Sequence, residues 1–313
     1  MNDPKVTVVG AGFVGAGVAQ RVLEKELANV VLVDVIEDLP QGKALDMMES
    51  SQIEGFRTTI VGTNSYEETK NSDVVVITAG LARKPGMSRD DLQAKNAEIV
   101  GGIVKEISPR SPKAIIIVVT NPLDVMSYLV WKTSGFPAKR VIGMAGVLDS
   151  ARYAYFLSLE LKIPAKEIEA VVLGGHGDLM VPAPEFSKAK GKPITELLPK
   201  EKIEAINQRT RDGGIEIVNL LKTGSAYYAP SSSAVAMVEA ILKDSGRILP
   251  SCVCLNGEYG VKGTYCGVPV SLGREGVKKV IELKLSSESL AQLKRSAEHV
   301  REQCAKLNLS HAF

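Results

Sequence analysis

Only four cysteines and three histidines occur among 313 residues. Four thiols are too few for a disulfide scaffold, and Cys252, Cys254 and Cys266 lack a fourth partner at zinc-ribbon spacing. No metal site is expected. Cys252 and Cys254 alternate with Ser251 and Val253 in a strand-like run, which puts both thiols on one face of a sheet as core residues. Charge of one sign is also scarce. The net value is +2, with no long run of either sign and no basic stripe with interleaved aromatics, which speaks against nucleic acid as a partner. No apolar run approaches the roughly 18 residues that span a bilayer, the longest being strand-sized stretches such as "AIIIVV". The opening "MNDPKVTVVG" has no basic segment followed by a long apolar one, so a cytoplasmic protein with no signal peptide and no membrane contact is expected.

What the chain does have is enough apolar material, 45%, to fill two domain cores. Runs rich in Val and Ile ("KVTVVG", "NVVLVD", "TTIVG", "DVVVITAG", "KAIIIVVTN", "RVIGMAG") alternate with helix-length segments through the first half. Six strands with helical crossovers imply a parallel sheet. The runs are apolar on both faces, so helices should cover the sheet on each side. The expected fold is therefore α/β, a doubly wound parallel sheet over residues 1–144 followed by a mixed α+β domain over residues 145–313. In that second half a long helix, short strands at "EAVVLGG" and "LMVPAPEFS", two helices near 201–242, a strand-rich block at 247–274 and a closing helix from Ser286 to about Leu307 are predicted. The triple serine Ser231–Ser233 reads as a helix N-cap.

The first strand runs into "GAGFVG", where Gly10, Gly12 and Gly15 form the dinucleotide-binding pattern between strand and helix. The first glycine permits a tight turn, the second lets backbone approach a pyrophosphate, and the third lets helix and strand pack closely. The helix start then offers free amides and a positive dipole end to the phosphates. The second strand ends at Asp34, where a carboxylate accepts hydrogen bonds from a ribose; Val35 and Ile36 follow, with no arginine nearby in the chain. That combination favours NAD over NADP in a Rossmann-type domain. The ends of "ITAG" and "VVTNP" come to the same edge of the sheet, which brings Asn121 near the nicotinamide end.

Of the three histidines only His176 lies in the body of the chain, in "LGGHGDLMVP". Its neighbours Gly174, Gly175 and Gly177 allow a sharp turn at a strand end and leave room beside the ring. Asp149 and Arg152, three apart in "LDSAR", fall on one face of a helix.

Together "VTVVGAGFVG", "GLARKPGMSRDDL", "VTNPLD", "LDSARY", "GGHGDLMVP" and "GSAYYAPSSSAV" resemble, in order and over essentially the full length, the NAD-dependent lactate and malate dehydrogenase family. The nearest likeness is to its lactate-dehydrogenase-like malate dehydrogenases. The resemblance implies that His176 gives and takes the proton, that Asp149 is its carboxylate partner, and that Arg152 clamps the substrate's C1 carboxylate. It places Arg89 against the reacting carbonyl when the loop "LARKPGMSR", with Pro85 and Gly86, closes. Residues expected at the cofactor are Gly10, Ala11, Gly12, Phe13, Val14, Gly15, Asp34, Asn96, Val119 and Asn121, the last also at the substrate. Relatives form dimers or tetramers, so a homo-oligomer is expected, with a tetramer favoured over a dimer and helices such as "DLPQGKALDMMESSQ" as contact surfaces.

Arg83 carries the substrate question. In the lactate dehydrogenases that the chain resembles this position holds glutamine, in the malate enzymes arginine. A guanidinium there meets the second carboxylate of oxaloacetate, whereas pyruvate offers it only a methyl group. The expected activity is thus reversible, NAD-dependent oxidation of (S)-malate to oxaloacetate. L-lactate dehydrogenase, or a nucleotide-binding structural protein without chemistry, stand as the alternatives.

Overall fold

The computed structural model describes residues 3–81 and 88–307. Its first half alternates strand and helix. The strands are β1 (Lys5–Val9), β2 (Asn29–Val33), β3 (Ile60–Thr63), β4 (Val74–Ile77), β5 (Ile115–Val118) and β6 (Val141–Gly143). Between them lie α1 (Phe13–Glu24), α2 (Leu39–Glu49), the short α3 (Ser51–Glu54), α4 (Arg89–Arg110) and α5 (Leu123–Ser134). All six strands pair in parallel, in the order β3-β2-β1-β4-β5-β6.

Burial explains why these apolar runs are not alternating. Every residue of β4 and β5 is buried. Val6, Val8, Val74, Val76, Ile115 and Ile117 face one layer, packed with Val18 and Val22 of α1. Val75, Ile77, Ile116 and Val118 face the other, with Val100 and Val104 of α4 and Met126 and Val130 of α5. Each such side chain contributes about 1.5–3 kcal/mol by leaving water, and two filled faces are what a doubly wound sheet requires.

The second half begins with α6 (Gly146–Leu161), then β7 (Ile168–Glu169), β8 (Val172–Leu173), β9 (Val181–Pro182), β10 (Lys188–Ala189) and β11 (Lys192–Pro193). After these come α7 (Ile194–Leu197), α8 (Lys200–Leu221), α9 (Tyr228–Leu242), β12 (Ile248–Asn256), β13 (Lys262–Gly273), β14 (Gly276–Val280) and α10 (Ser287–Ala305). The predicted strand "LMVPAPEFS" shrinks to Val181–Pro182, because prolines at 182 and 184 remove ladder donors and a single helical turn, Pro184–Phe186, follows.

The strand-rich block joins the parallel sheet: β12, β13 and β14 extend it from β6 as antiparallel strands, making nine among the described residues. One expectation needs correction. Ser231–Ser233 do not cap a helix; they lie inside α9, which starts at Tyr228. Ser231 instead donates to the Val14 carbonyl at 2.9 Å and to the Tyr227 carbonyl at 2.6 Å, tying α9 to α1.

Candidate active site

The crevice where strand order reverses lies between β1 and β4, and the glycine-rich turn closes its floor. Gly10 takes φ +104°, and a Cβ on Gly15 would stand 1.7 Å from the Gly10 carbonyl oxygen. Gly12 is different: a Cβ there would meet nothing within 4 Å. The turn therefore leaves open space beside Gly12, and α1 starts there with no side-chain cap. Unclaimed helix-start amides facing an open cradle suit a pyrophosphate.

Two side chains brace this turn from opposite ends of one residue. Asp34 accepts the Ala11 amide at 2.6 Å and the Ile36 amide at 3.0 Å, and Lys43 of α2 donates to the Ala11 carbonyl at 2.6 Å. Phe13 is 70% exposed and stacks on Tyr227 with centroids 5.0 Å apart. Val14 and Val119 pack partly buried against the core. Asn96 is buried, and its amide donates to the Leu81 and Asn121 carbonyls while accepting the Leu81 amide. Its three bonds all go to backbone, so it shapes the two strand-end loops. Asn121 is exposed at the cavity that His176 lines.

His176 follows β8 through Gly174, whose amide and carbonyl both pair with Gly267 of β13. The imidazole Nδ1 lies 2.9 Å from Asp149 Oδ2, and the other oxygen of Asp149 takes Arg152 Nη1 at 3.4 Å. Asp149 and Arg152 come from consecutive turns of α6. Burial works against the protonated ring, but the charge and hydrogen bond of Asp149 outweigh it and hold the His176 pKa above its ordinary value. Burial pulls the Arg152 pKa down, opposed by Asp149. Arg152 Nε is buried and has no hydrogen-bond partner among the described residues.

A cavity of about 580 Å³ opens beside the ring, lined among others by Asn121, His176, Asp178 and Arg89. Arg89 begins α4, whose start is set by the reciprocal Ser88 and Asp91 capping bonds. Its guanidinium pairs with Asp178 at 3.1 Å, both side chains well exposed. Arg83, Pro85 and Gly86 lie outside the described residues.

Three residues at the site were not anticipated. Asp124 accepts the backbone amide of His176 at 2.8 Å, Lys43 braces the glycine turn, and Asp178 pairs with Arg89. Asp124 stands in "NPLD" and Asp178 in "HGDL", but nothing local to those stretches announces a partner 52 or 89 positions away.

Comparison with known proteins gives the family of the chain. Residues 4–143 match the NAD binding domain of lactate/malate dehydrogenases, and residues 146–309 their alpha/beta C-terminal domain. The chain belongs to the lactate/malate dehydrogenase family. Within it, a protein named malate dehydrogenase from Chloroherpeton thalassium is 56% identical over 97% of this chain and 98% of its own length. The structure of malate dehydrogenase from Salinibacter ruber superposes with a TM-score of 0.94 at 50% identity, covering 98% of this chain and 99% of that one. A lactate dehydrogenase from Cryptosporidium parvum, complexed with lactic acid and nicotinamide adenine dinucleotide, reaches the same TM-score at 39% identity, over 97% and 98% of the two chains. The backbone is thus common to both activities, and side chains must separate them.

Proposed function

We propose that this member of the family is an NAD-dependent malate dehydrogenase, oxidising (S)-malate reversibly to oxaloacetate. The observation that carries the reading is the His176–Asp149–Arg152 constellation, a buried carboxylate holding two part-buried cation-forming groups, in a chain that also has an open glycine turn at the start of α1. Bound NADH supplies the hydride. Reducing a ketone builds alkoxide character, and the imidazolium of His176, favoured by Asp149, delivers the proton to that oxygen. In the oxidative direction His176 starts neutral and takes the proton. Arg152 receives the C1 carboxylate, with its unpartnered Nε as one donor. Asn121 orients the substrate and the nicotinamide end, and Arg89 exchanges Asp178 for the reacting carbonyl oxygen. Arg83 takes the distal carboxylate. The amides of Phe13, Val14 and Gly15 would hold the cofactor's phosphates, and Asp34 would accept from its adenosine ribose.

Relatives at 52–56% identity named malate dehydrogenase support this substrate over lactate. Large apolar side chains stay exposed on α2 and α3 (Leu45, Ile53), α6 (Tyr155, Leu159) and α8 (Ile215), which favours a homo-oligomer, a tetramer before a dimer. Among the described residues no helix is long and apolar enough to cross a membrane, in keeping with a cytoplasmic enzyme. Following NADH oxidation with oxaloacetate and pyruvate side by side tests the function; faster turnover of pyruvate overturns the malate assignment. Sedimentation velocity tests the assembly.

A further inference from the structure

Asp124 is the one buried carboxylate at the site to which the mechanism above gives no task. It lies in the first turn of α5 with 6% of its surface exposed. Its Oδ2 accepts the His176 amide at 2.8 Å, and its Oδ1 accepts the Cys252 thiol of β12 at 3.1 Å. The preceding amide, Gly175, is held by Ser296 Oγ of α10 at 2.8 Å. Two successive amides of the histidine turn are thus anchored to two different helices.

Anchoring alone does not call for a charge. Among the described residues no lysine or arginine pairs with Asp124, and a thiol is a weak donor, so a carboxylate here is costly to bury. A neutral asparagine or serine would accept the same amide at less cost. What only the carboxylate offers is a negative charge near His176 from a second helix, α5, beside that of Asp149 on α6. Around the imidazole stand Asp149 and Arg152 from α6, Asp124 from α5 and, beyond it, Cys252 from β12. Around Asp124 stand His176, Asp149, Cys252, Cys266 of β13 and Cys304 of α10. The histidine is the sole cation-forming group touching Asp124 in that set.

We propose that Asp124 is a positioning residue for His176, fixing the backbone of the histidine turn and, as a second carboxylate, stabilising the protonated ring. The inference rests on His176 being the proton-transfer group. Burial pushes the Asp124 pKa up, while the Cys252 thiol and His176 oppose this, so loss of either partner weakens the carboxylate form.

The experiment compares pH profiles of kcat/KM for oxaloacetate reduction in the wild type, Asp124→Asn and Cys252→Val, with NADH affinity by calorimetry. Asparagine keeps an acceptor for the His176 amide and removes the charge. The expected result is a midpoint lower by about half a pH unit or more, kcat down about tenfold, and an NADH Kd within about twofold of wild type. Cys252→Val leaves the carboxylate with one donor fewer and shifts the midpoint the same way by less; it decides the matter if Asp124→Asn does not fold. An unmoved midpoint, with losses only in melting temperature, overturns the proposal. Failure of the functional reading shows itself separately, as turnover retained in His176→Gln.

Discussion

Arg89 Nη2 lies 3.1 Å from Asp178 Oδ2 at the mouth of the cavity that His176 lines. Both side chains are more than half exposed, 74% and 66%, so this pair contributes at most about 1 kcal/mol and releases the arginine cheaply. The carbonyl-side role proposed for Arg89 is a different order of effect, since losing one donor to a developing oxyanion costs about 10²–10³-fold in kcat. Arg89→Gln should therefore reduce kcat for oxaloacetate by at least about 100-fold, while Asp178→Asn should leave kcat/KM within about fivefold of wild type. Steady-state kinetics of the two variants check this; similar losses in both would mean that the ion pair, not the free guanidinium, is the functional unit.

The two directions of the reaction should respond oppositely to pH. In the proposed mechanism reduction draws on the imidazolium of His176 and oxidation on the neutral ring. Because Asp149 lifts the His176 pKa above its ordinary value, near 6.5, reduction should hold its plateau through about pH 6.5 and fall as pH rises through that higher value. Oxidation of malate should climb over the same interval. Asp149→Asn removes the charge that offsets burial, so both midpoints move down and kcat for reduction drops by about 100-fold or more. Profiles of kcat/KM in both directions measure this.

The glycine turn separates stability from affinity. A Cβ on Gly15 would overlap the Gly10 carbonyl at 1.7 Å, whereas one on Gly12, whose φ is −67°, would meet nothing within 4 Å. Gly15→Ala should therefore lower the melting temperature markedly. Gly12→Ala should melt within about 2 °C of wild type, yet weaken NADH binding about tenfold or more, because its methyl group would fill the open side of the turn proposed for the pyrophosphate. Calorimetric melting and NADH titration separate the two; normal NADH affinity in Gly12→Ala would remove the cradle from this turn.

How far these features can be seen in the sequence depends on the range of the interactions. The six parallel strands and the glycine turn are legible because they rest on local spacing: runs of Val and Ile, and three glycines within six positions. Asp149 and Arg152 are legible as a pair because a helix places them on one face. Asp124, Lys43 and the join of β12 to β6 are not, because each depends on segments brought together by the fold. The Cys252 thiol that meets Asp124 stands 128 positions later. Ser231 deceives in the same manner: its hydroxyl reads as a cap until α1 supplies the Val14 carbonyl, 217 positions away.

Lys43 is the cation that inspection of the residues following Asp34 does not find. Its ammonium holds the Ala11 carbonyl at 2.6 Å while Asp34 holds the Ala11 amide, so it fixes the turn and places positive charge beside it. Lys43→Met keeps the aliphatic stem and removes both effects. One charge-assisted bond is worth about 1.5–3 kcal/mol, so the NADH Kd should rise about tenfold, with the KM for oxaloacetate unchanged at saturating NADH. Calorimetric titration is the measurement, and an unaltered Kd would confine Lys43 to the surface.

The proposed malate reading gives the substrate choice to Arg83. On the proposed reading, oxaloacetate would give its guanidinium a charge-assisted pair with the distal carboxylate. Pyruvate would leave the same group facing a methyl, at a cost of roughly several kcal/mol. Rejection through an unmatched buried polar group can reach about 10⁴-fold. Arg83→Gln removes both the attraction and the penalty, so oxaloacetate turnover should fall by about 100-fold or more while pyruvate turnover rises or holds. The ratio of kcat/KM for the two keto acids is the readout. Equal losses on both would assign Arg83 to the general architecture of the site, and discrimination would then have to come from other residues lining the cavity of Asn121 and His176.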